Sequence, residues 1–210
     1  MRFRLTYQGE LKSAGNNSNR VKEKQHIRNA LSPQLEELWQ QHRSLQGNFG
    51  VFDEDDVTQY GIVRAPTPEE TIDWQKKQIA KIREPIIISG RSFVPLIRRS
   101  HDACCSVDIL FLRKDSPGTL IGTAGDLDNR LKLLFDGFRM PRETEIDSGR
   151  GDDVMFCLTE DDALISDFSV KTDYLLSRPH GSINDVLLII EVNVSVTRYT
   201  NSNAFLHMSP

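Results

Sequence analysis

An amphipathic helix predicted to start around Asp126–Asp128 and to include Phe138 constrains the fold of this chain more than any other segment. Its apolar side chains recur at helical spacing: Leu127, Leu131, Leu134, Phe135 and Phe138. The opposite stripe of the same helix is polar and carries Asp128, Asn129, Lys132 and Asp136. The sequence therefore predicts a helix that is packed on a core along one side and presents a row of charges on the other.

Strands are predicted on both sides of this helix along the chain. Apolar runs and alternation predict strands at residues 2–7, 86–88, 93–97, 104–112, 164–174 and 186–196. Pro95 favours an edge position for its strand. Further helices are expected from about Val21, with a restart at Ser32-Pro33, and from the capping box Thr67-Pro68-Glu69-Glu70 to about Arg83. The fold class predicted is α/β (α+β), with a mixed β-sheet flanked by helices.

Composition limits the class of protein. The chain has 210 residues, of which 38% are hydrophobic, and this favours one globular domain. The N-terminus lacks the apolar run of a signal peptide, and no apolar stretch is long enough to span a membrane. Cys104, Cys105 and Cys157 form neither a disulfide framework nor a zinc spacing, so we expect a cytoplasmic protein with no membrane partner.

The net charge of −4 argues against a protein that coats nucleic acid with lysine. This net charge does not exclude a nuclease, because bound metal ions cancel the charge of the carboxylates that hold them. Basic residues can also cluster locally. The candidates for contacts with DNA are Arg98, Arg99, Arg113, Lys114 and Arg130, and solvated surface is an equally good interpretation of the basic residues around 91–114.

Acidic residues cluster at two places that suggest chemistry on phosphate. Asp126 and Asp128 stand two apart where the helix begins, and Lys132 follows one turn later. Glu160-Asp161-Asp162 precedes the strand at 164–174. Carboxylate oxygens are the ligands that Mg²⁺ prefers, and a fixed cation stabilises charge that develops on a phosphate.

Simpler interpretations exist for each of these residues. An aspartate before a helix is a favoured N-cap, and Asp128 with Lys132 is an ordinary helical ion-pair spacing. Two aspartates cannot both be the cap. Glu160-Asp161-Asp162 is also typical of a solvated turn, and Asp152-Asp153 is a rival acidic pair that composition alone does not separate from it.

The order of these residues resembles the RusA-type Holliday junction resolvases. The resemblance is carried by Asp126-Leu127-Asp128-Asn129-Arg130-Leu131-Lys132, then Phe135-Asp136, then Asp161-Asp162-Ala163-Leu164-Ile165, and it covers roughly residues 104–196. It implies an Mg²⁺-dependent (or Mn²⁺-dependent) homodimeric endonuclease that cuts branched DNA, with roles in DNA recombination and repair. The chain would then be one RusA-like domain over residues 1–210 with an atypical insertion at about 44–100.

The resemblance also implies roles for individual residues. Asp126, Asp128 and Asp162 would be metal ligands and catalytic, Lys132 would contact the phosphate, and Asp162 is favoured over Asp161, Asp152 and Asp153. Asn129, Asp136 and Asp161 would support these side chains, with Asp136 as a possible partner of Lys132. We expect the three ligand carboxylates to lie within roughly 4–7 Å of one another.

The chain departs from that family in ways that leave other functions open. It is longer, and it is acidic where the family's dimers are generally basic, so its substrate need not be a four-way junction. One alternative is a non-catalytic nucleic-acid-binding or assembly protein on the same fold. Another is a carboxylate-pair hydrolase such as a glycosidase, which the clustered acids and the lysine fit less well than they fit a metal.

Overall fold

A computed structural model describes residues 1–12, 17–46, 67–114, 126–146, 153–176, 184–200, 203 and 206, without the side chains of residues 17–19, 68, 71, 74, 75, 78 and 126. The strands are β1 (Arg2–Glu10), β2 (Ile86–Ile88), β3 (Arg91–Ile97), β4 (Ala103–Arg113), β5 (Met155–Thr159), β6 (Ile165–Tyr174) and β7 (Asp185–Val196). The α-helices are α1 (Asn17–Gln41), α2 (Pro68–Ile82) and α3 (Asp126–Phe138). Short 3₁₀ turns occur at Arg43–Gln46, Arg99–His101, Glu143–Glu145 and Asp162–Leu164.

A four-stranded mixed sheet forms the centre of the molecule, in the order β1-β7-β4-β6. β7 is antiparallel to both β1 and β4, and β6 is parallel to β4. Alternate residues of β4 and β7 are buried on one face, among them Val107 and Phe111 opposite Val192 and Leu188. The prediction that residues 104–112 form a central strand is confirmed.

Helices α1 and α3 cover the buried face of this sheet and contact each other. Leu131, Leu134 and Phe138 of α3 are buried with Ile27 and Leu31 of α1 in one core. The predicted amphipathic helix is therefore confirmed together with its buried face, and it begins at Asp126 and ends at Phe138. The coarse prediction of an α+β fold with a mixed sheet and flanking helices is confirmed as well.

The restart of α1 predicted at Ser32-Pro33 is wrong. The helix continues through Pro33. Ser32 does not cap a new helix, because its hydroxyl oxygen accepts a hydrogen bond at 2.9 Å from the backbone N–H of Phe156 in β5. Ser32, which the local pattern predicted as a helix cap, instead links α1 to β5.

A second mixed sheet has the order β2-β3-β5. β3 lies in its centre, so the edge position predicted from Pro95 is wrong. Pairing with β2 ends at Phe93, however, and Pro95 has a strand on one side only, where it lies opposite Cys157. This local gap explains how a central strand holds a proline. The described part of the expected insertion supplies α2, β2 and β3.

The predicted capping box at the start of α2 is confirmed. The Thr67 hydroxyl accepts from the Glu70 backbone N–H, and the Glu70 carboxylate accepts from the Thr67 backbone N–H at 2.9 Å.

Among the helices that the structure describes, none has both the length and the apolar character needed to cross a membrane.

The contact between α1 and α3 generates a stability prediction at Gly137. A Cβ atom built there would lie 2.5 Å from Ile27 Cγ2 and 2.8 Å from Ile27 Cβ. Gly137→Ala should lower the free energy of unfolding by about 1–2 kcal/mol, because overpacking outweighs the gain in helix propensity. Urea unfolding measures this loss. In an Ile27→Ala background the same substitution should be neutral or stabilising, and an equal loss in both backgrounds would contradict the proposed contact.

Candidate active site

The polar stripe of α3 is exposed at its N-terminal half. Asp128 and Lys132 are exposed, whereas their neighbours Arg130 and Leu131 are buried. Asp128 and Lys132 form no ion pair with each other in the described part of the chain, so the simple helical-pair interpretation does not hold for this conformation. The backbone of Asp126 begins the helix, while its side chain lies outside the described atoms.

The second acidic cluster contains one carboxylate with a clear structural role, that of Asp161. Asp161 caps the 3₁₀ turn at Asp162–Leu164 by accepting from the backbone N–H of Ala163 at 2.9 Å. Its carboxylate also pairs with Arg99 at 3.3 Å. The Ala163 hydrogen bond, assisted by Asp162 and Arg99, lowers the pKa of Asp161 even though burial opposes the shift. Asp161 thus stabilises the turn, and Asp162 is the half-buried acid that the turn presents.

The 3₁₀ turn that carries Asp162 packs against α3 and β4. The C-terminal end of α3 is tied to β5, where the Met140 N–H donates to the Thr159 carbonyl at 3.0 Å. Near the other end of the helix, Arg130 donates to the Leu11 carbonyl and to Asn184 Oδ1. Helix α3 therefore carries the first acidic cluster and packs against the turn that carries the second.

The described side chains include no group of three or more His, Cys, Asp or Glu residues that could hold a metal ion. The expected cluster of Asp126, Asp128 and Asp162 contains a side chain outside that description, so its predicted 4–7 Å spacing stays a prediction. Asp152 also lies outside the described residues, and its neighbour Asp153 is exposed.

Asp136 belongs to a different structure, which we call the buried ion network: Lys24, Arg28, Asp136, Arg139 and Glu145. Lys24 Nζ lies 2.9 Å from Asp136 and 2.8 Å from Glu145. Arg139 lies 2.9 Å from each of the same two carboxylates, and Arg28 lies 2.8 Å from Glu145. The pairing of Asp136 with Lys132 expected from the sequence is not found in the described part of the chain.

Sequence reasoning missed this network. The available signal was the helical spacing of Lys24 and Arg28 on α1, together with Asp136 on α3 and Arg139 directly after that helix. Burial alone would raise the pKa of Glu145. Hydrogen bonds from Arg139 and Lys24 and the charges of Arg28 and Arg139 outweigh it and lower the pKa to about 2.

Three of the five basic residues considered for DNA contacts are buried: Arg98, Arg113 and Arg130. Arg98 donates to the carbonyls of Pro95 at 3.1 Å and Glu84 at 2.7 Å. These positions are typical of structural arginines, and phosphates cannot reach buried guanidinium groups. Arg99 remains 62% exposed beside Asp161. Lys114 is partly exposed, 3.9 Å from Asp185.

His101 accompanies these arginines and is buried as well. Burial, and then the charge of Arg98, lower its pKa to about 4, so it is neutral at physiological pH. A neutral buried imidazole does not add to a basic surface.

Comparison of the chain with protein-family models, curated proteins and solved structures gives no match. The resemblance to RusA-type resolvases therefore rests on the motif residues themselves.

The buried ion network generates a pH-dependent prediction. Glu145→Gln should lower the free energy of unfolding by about 3–5 kcal/mol near neutral pH, because it leaves buried cations without their carboxylate. A lowered pKa stabilises the fold above the ordinary value of 4.5, and this stabilisation is lost as the pH falls toward about 2. The variant should lack that part of the acid dependence in urea unfolding. Glu143→Gln, at an exposed site in the same turn, should match the wild type.

Proposed function

We propose that this protein is an Mg²⁺-dependent, structure-selective DNA endonuclease that hydrolyses phosphodiester bonds in branched DNA. The observation that supports this most is the exposed stripe at the start of α3. There a carboxylate and an ammonium group, Asp128 and Lys132, face solvent one turn apart without pairing to each other. A stabilising surface pair would bring the two charges together, whereas a site for metal and phosphate leaves both available.

The donor set suits a hard divalent cation. Asp126, Asp128 and Asp162 would hold Mg²⁺ or Mn²⁺ through carboxylate oxygens, which is the ligand chemistry these ions prefer. Asp128 is exposed and Asp162 is half-buried, so both can reach an ion from solvent. When bound, the ion supplies an activated water and shields the charge of the scissile phosphate.

Lys132 contributes a second, weaker effect. Its ammonium group would stabilise the negative charge that develops on the phosphate oxygens as the bond breaks. One such positioned donor supplies about 3–4 kcal/mol. Enzymes lower barriers by roughly 8–23 kcal/mol, so the lysine needs the metal site beside it.

The RusA-type resemblance supports a branched substrate and a homodimer, since a two-fold dimer supplies two sites for symmetric cuts. The acidic net charge and the burial of three arginines favour a narrow DNA contact around α3 and Arg99 over a broad basic surface. The alternative is a non-catalytic nucleic-acid-binding or assembly protein that keeps the fold.

Cleavage assays separate these two functions. Four-way, flapped, single-stranded and linear DNA should be incubated with and without Mg²⁺, and we expect Mg²⁺-dependent cutting of a branched form. Asp126→Asn, Asp128→Asn and Asp162→Asn should each reduce turnover by at least about 100-fold while DNA binding remains, because amides are poor ligands of Mg²⁺.

Asp153→Asn is the matched control and should cut normally, because Asp153 is exposed in the rival acidic pair. Full activity of Asp162→Asn together with an inactive Asp153→Asn would show that the second acidic cluster is chosen wrongly. DNA binding without any metal-dependent cleavage would favour the non-catalytic alternative.

A separate prediction concerns Lys132. Lys132→Ala should lower kcat by about 100-fold and change KM little, since its charge acts mainly in the transition state. Lys132→Arg should recover part of the loss by restoring a cation. Single-turnover and steady-state kinetics measure both, and a loss confined to KM would assign Lys132 to substrate positioning instead.

A further inference from the structure

Strand β6 has one side without a partner strand in the part of the chain that the structure describes, because it lies at the end of the order β1-β7-β4-β6. The Leu175 N–H donates to the Arg113 carbonyl of β4 at 2.7 Å. Backbone groups alternate between the two sides of a strand, so Phe168, Val170, Thr172 and Tyr174 direct their N–H and C=O groups away from β4. These groups form a backbone edge that pairs with no strand among the described residues, and the Tyr174 N–H donates to the carboxylate of Asp173.

The same alternate residues carry an exposed apolar row. Phe168 and Tyr174 are each 50% exposed, and Leu176, just beyond the strand, is 96% exposed. Alternate residues face the same side of a sheet, so the three side chains share one face. Edge strands are ordinarily protected by charges, prolines or bulges, and a long apolar edge favours pairing with another strand.

We propose that β6 pairs antiparallel with β6 of a second copy of this chain, about a two-fold axis at Thr172. This register sets Phe168 opposite Leu176 of the other copy, Val170 opposite Tyr174, and Thr172 opposite Thr172. Each exposed apolar side chain of the row then meets an apolar one. The strand residues Phe168, Val170, Thr172 and Tyr174 direct their backbone groups outward, as the hydrogen-bonded pairs of an antiparallel ladder require.

Charges on the other face of the strand select the same register. Lys171 lies opposite Asp173 of the second copy, and both residues are exposed in the single chain. An axis at Val170 would set Asp167 opposite Asp173, and an axis at Lys171 would set two lysines opposite each other. Like charges directly opposite are destabilising. An axis at Ser169 avoids this repulsion but leaves Tyr174 and Leu176 uncovered.

In this register the apolar and charged side chains of β6 are complementary to those of an identical strand. The partner is therefore a second copy of the chain. In the single chain the Tyr174 N–H donates to the Asp173 carboxylate at 2.7 Å. Pairing would transfer that N–H to the Val170 carbonyl of the other copy and release Asp173 to Lys171. The rings of Phe135 in α3 and Phe168 in β6 lie 5.1 Å apart, so the two α3 helices would lie side by side on one continuous sheet.

The pairing rests on the proposed function for its expectation of a homodimer and specifies the interface. Sedimentation velocity tests the pairing without a cleavage assay, so its failure is distinguishable from a loss of nuclease activity. The wild type should sediment at micromolar concentration with twice the 23.9 kDa mass of the chain. Thr172→Pro should raise the dimer dissociation constant by at least about tenfold, because it removes an outward N–H that β4 does not use. Thr172→Val should remain dimeric, and circular dichroism checks that the proline variant is folded.

Two further comparisons test the register. Lys171→Glu and Asp173→Lys should each weaken the dimer, and the double variant should restore it. Thr172→Cys should form a disulfide between copies under mild oxidation, whereas Ser169→Cys should not. A monomeric wild type, a dimer insensitive to Thr172→Pro, or efficient cross-linking only through Ser169→Cys would overturn the proposal; binding of a different partner by a monomeric wild type would have the same consequence.

Discussion

The buried ion network determines how the motif helix lies on this protein. Lys24 and Arg28 from α1 meet Asp136 of α3 and Arg139 directly after it. Glu145 joins both helices from the turn that follows. Charges removed from water are tolerated only when they are paired, and each charged side chain of the network has a partner of opposite charge. Because the partners come from three segments, the network sets the rotation of α3 over the sheet, and that rotation leaves Asp128 and Lys132 exposed.

The charges of α3 consequently divide between the interior and the solvent. Asp136, near its C-terminal end, pairs inside the protein, and Arg130 is buried as well. Asp128 and Lys132, near its N-terminal end, face solvent. The second acidic cluster divides in the same manner, since Asp161 caps its turn and Asp162 follows as the first residue of that turn. Neighbouring acidic residues of this chain therefore differ in role: Asp161 stabilises a turn, and we propose Asp162 as a metal ligand.

Local patterns predicted the elements well. The existence of the motif helix and of the strands at 86–88, 104–112, 164–174 and 186–196 follows from apolar spacing and apolar runs, which report burial. Predictions from local patterns were wrong where contacts between distant residues determine the structure. Ser32 binds β5 instead of capping a helix, and the five residues of β5 are too few to show a period. Likewise, the sequence cannot distinguish Arg98 and Arg130, which bind internal carbonyls, from the exposed Arg99.

The proposed nuclease requires that the start of α3 and the turn carrying Asp162 bind one divalent ion. A titration with paramagnetic Mn²⁺, followed by amide NMR spectra, measures this binding directly. We expect resonances of residues 126–132 and 160–164 to broaden first, and Asp128→Asn to abolish this selectivity. Broadening centred on Asp153 or spread evenly over surface acids, unchanged by Asp128→Asn, would contradict it.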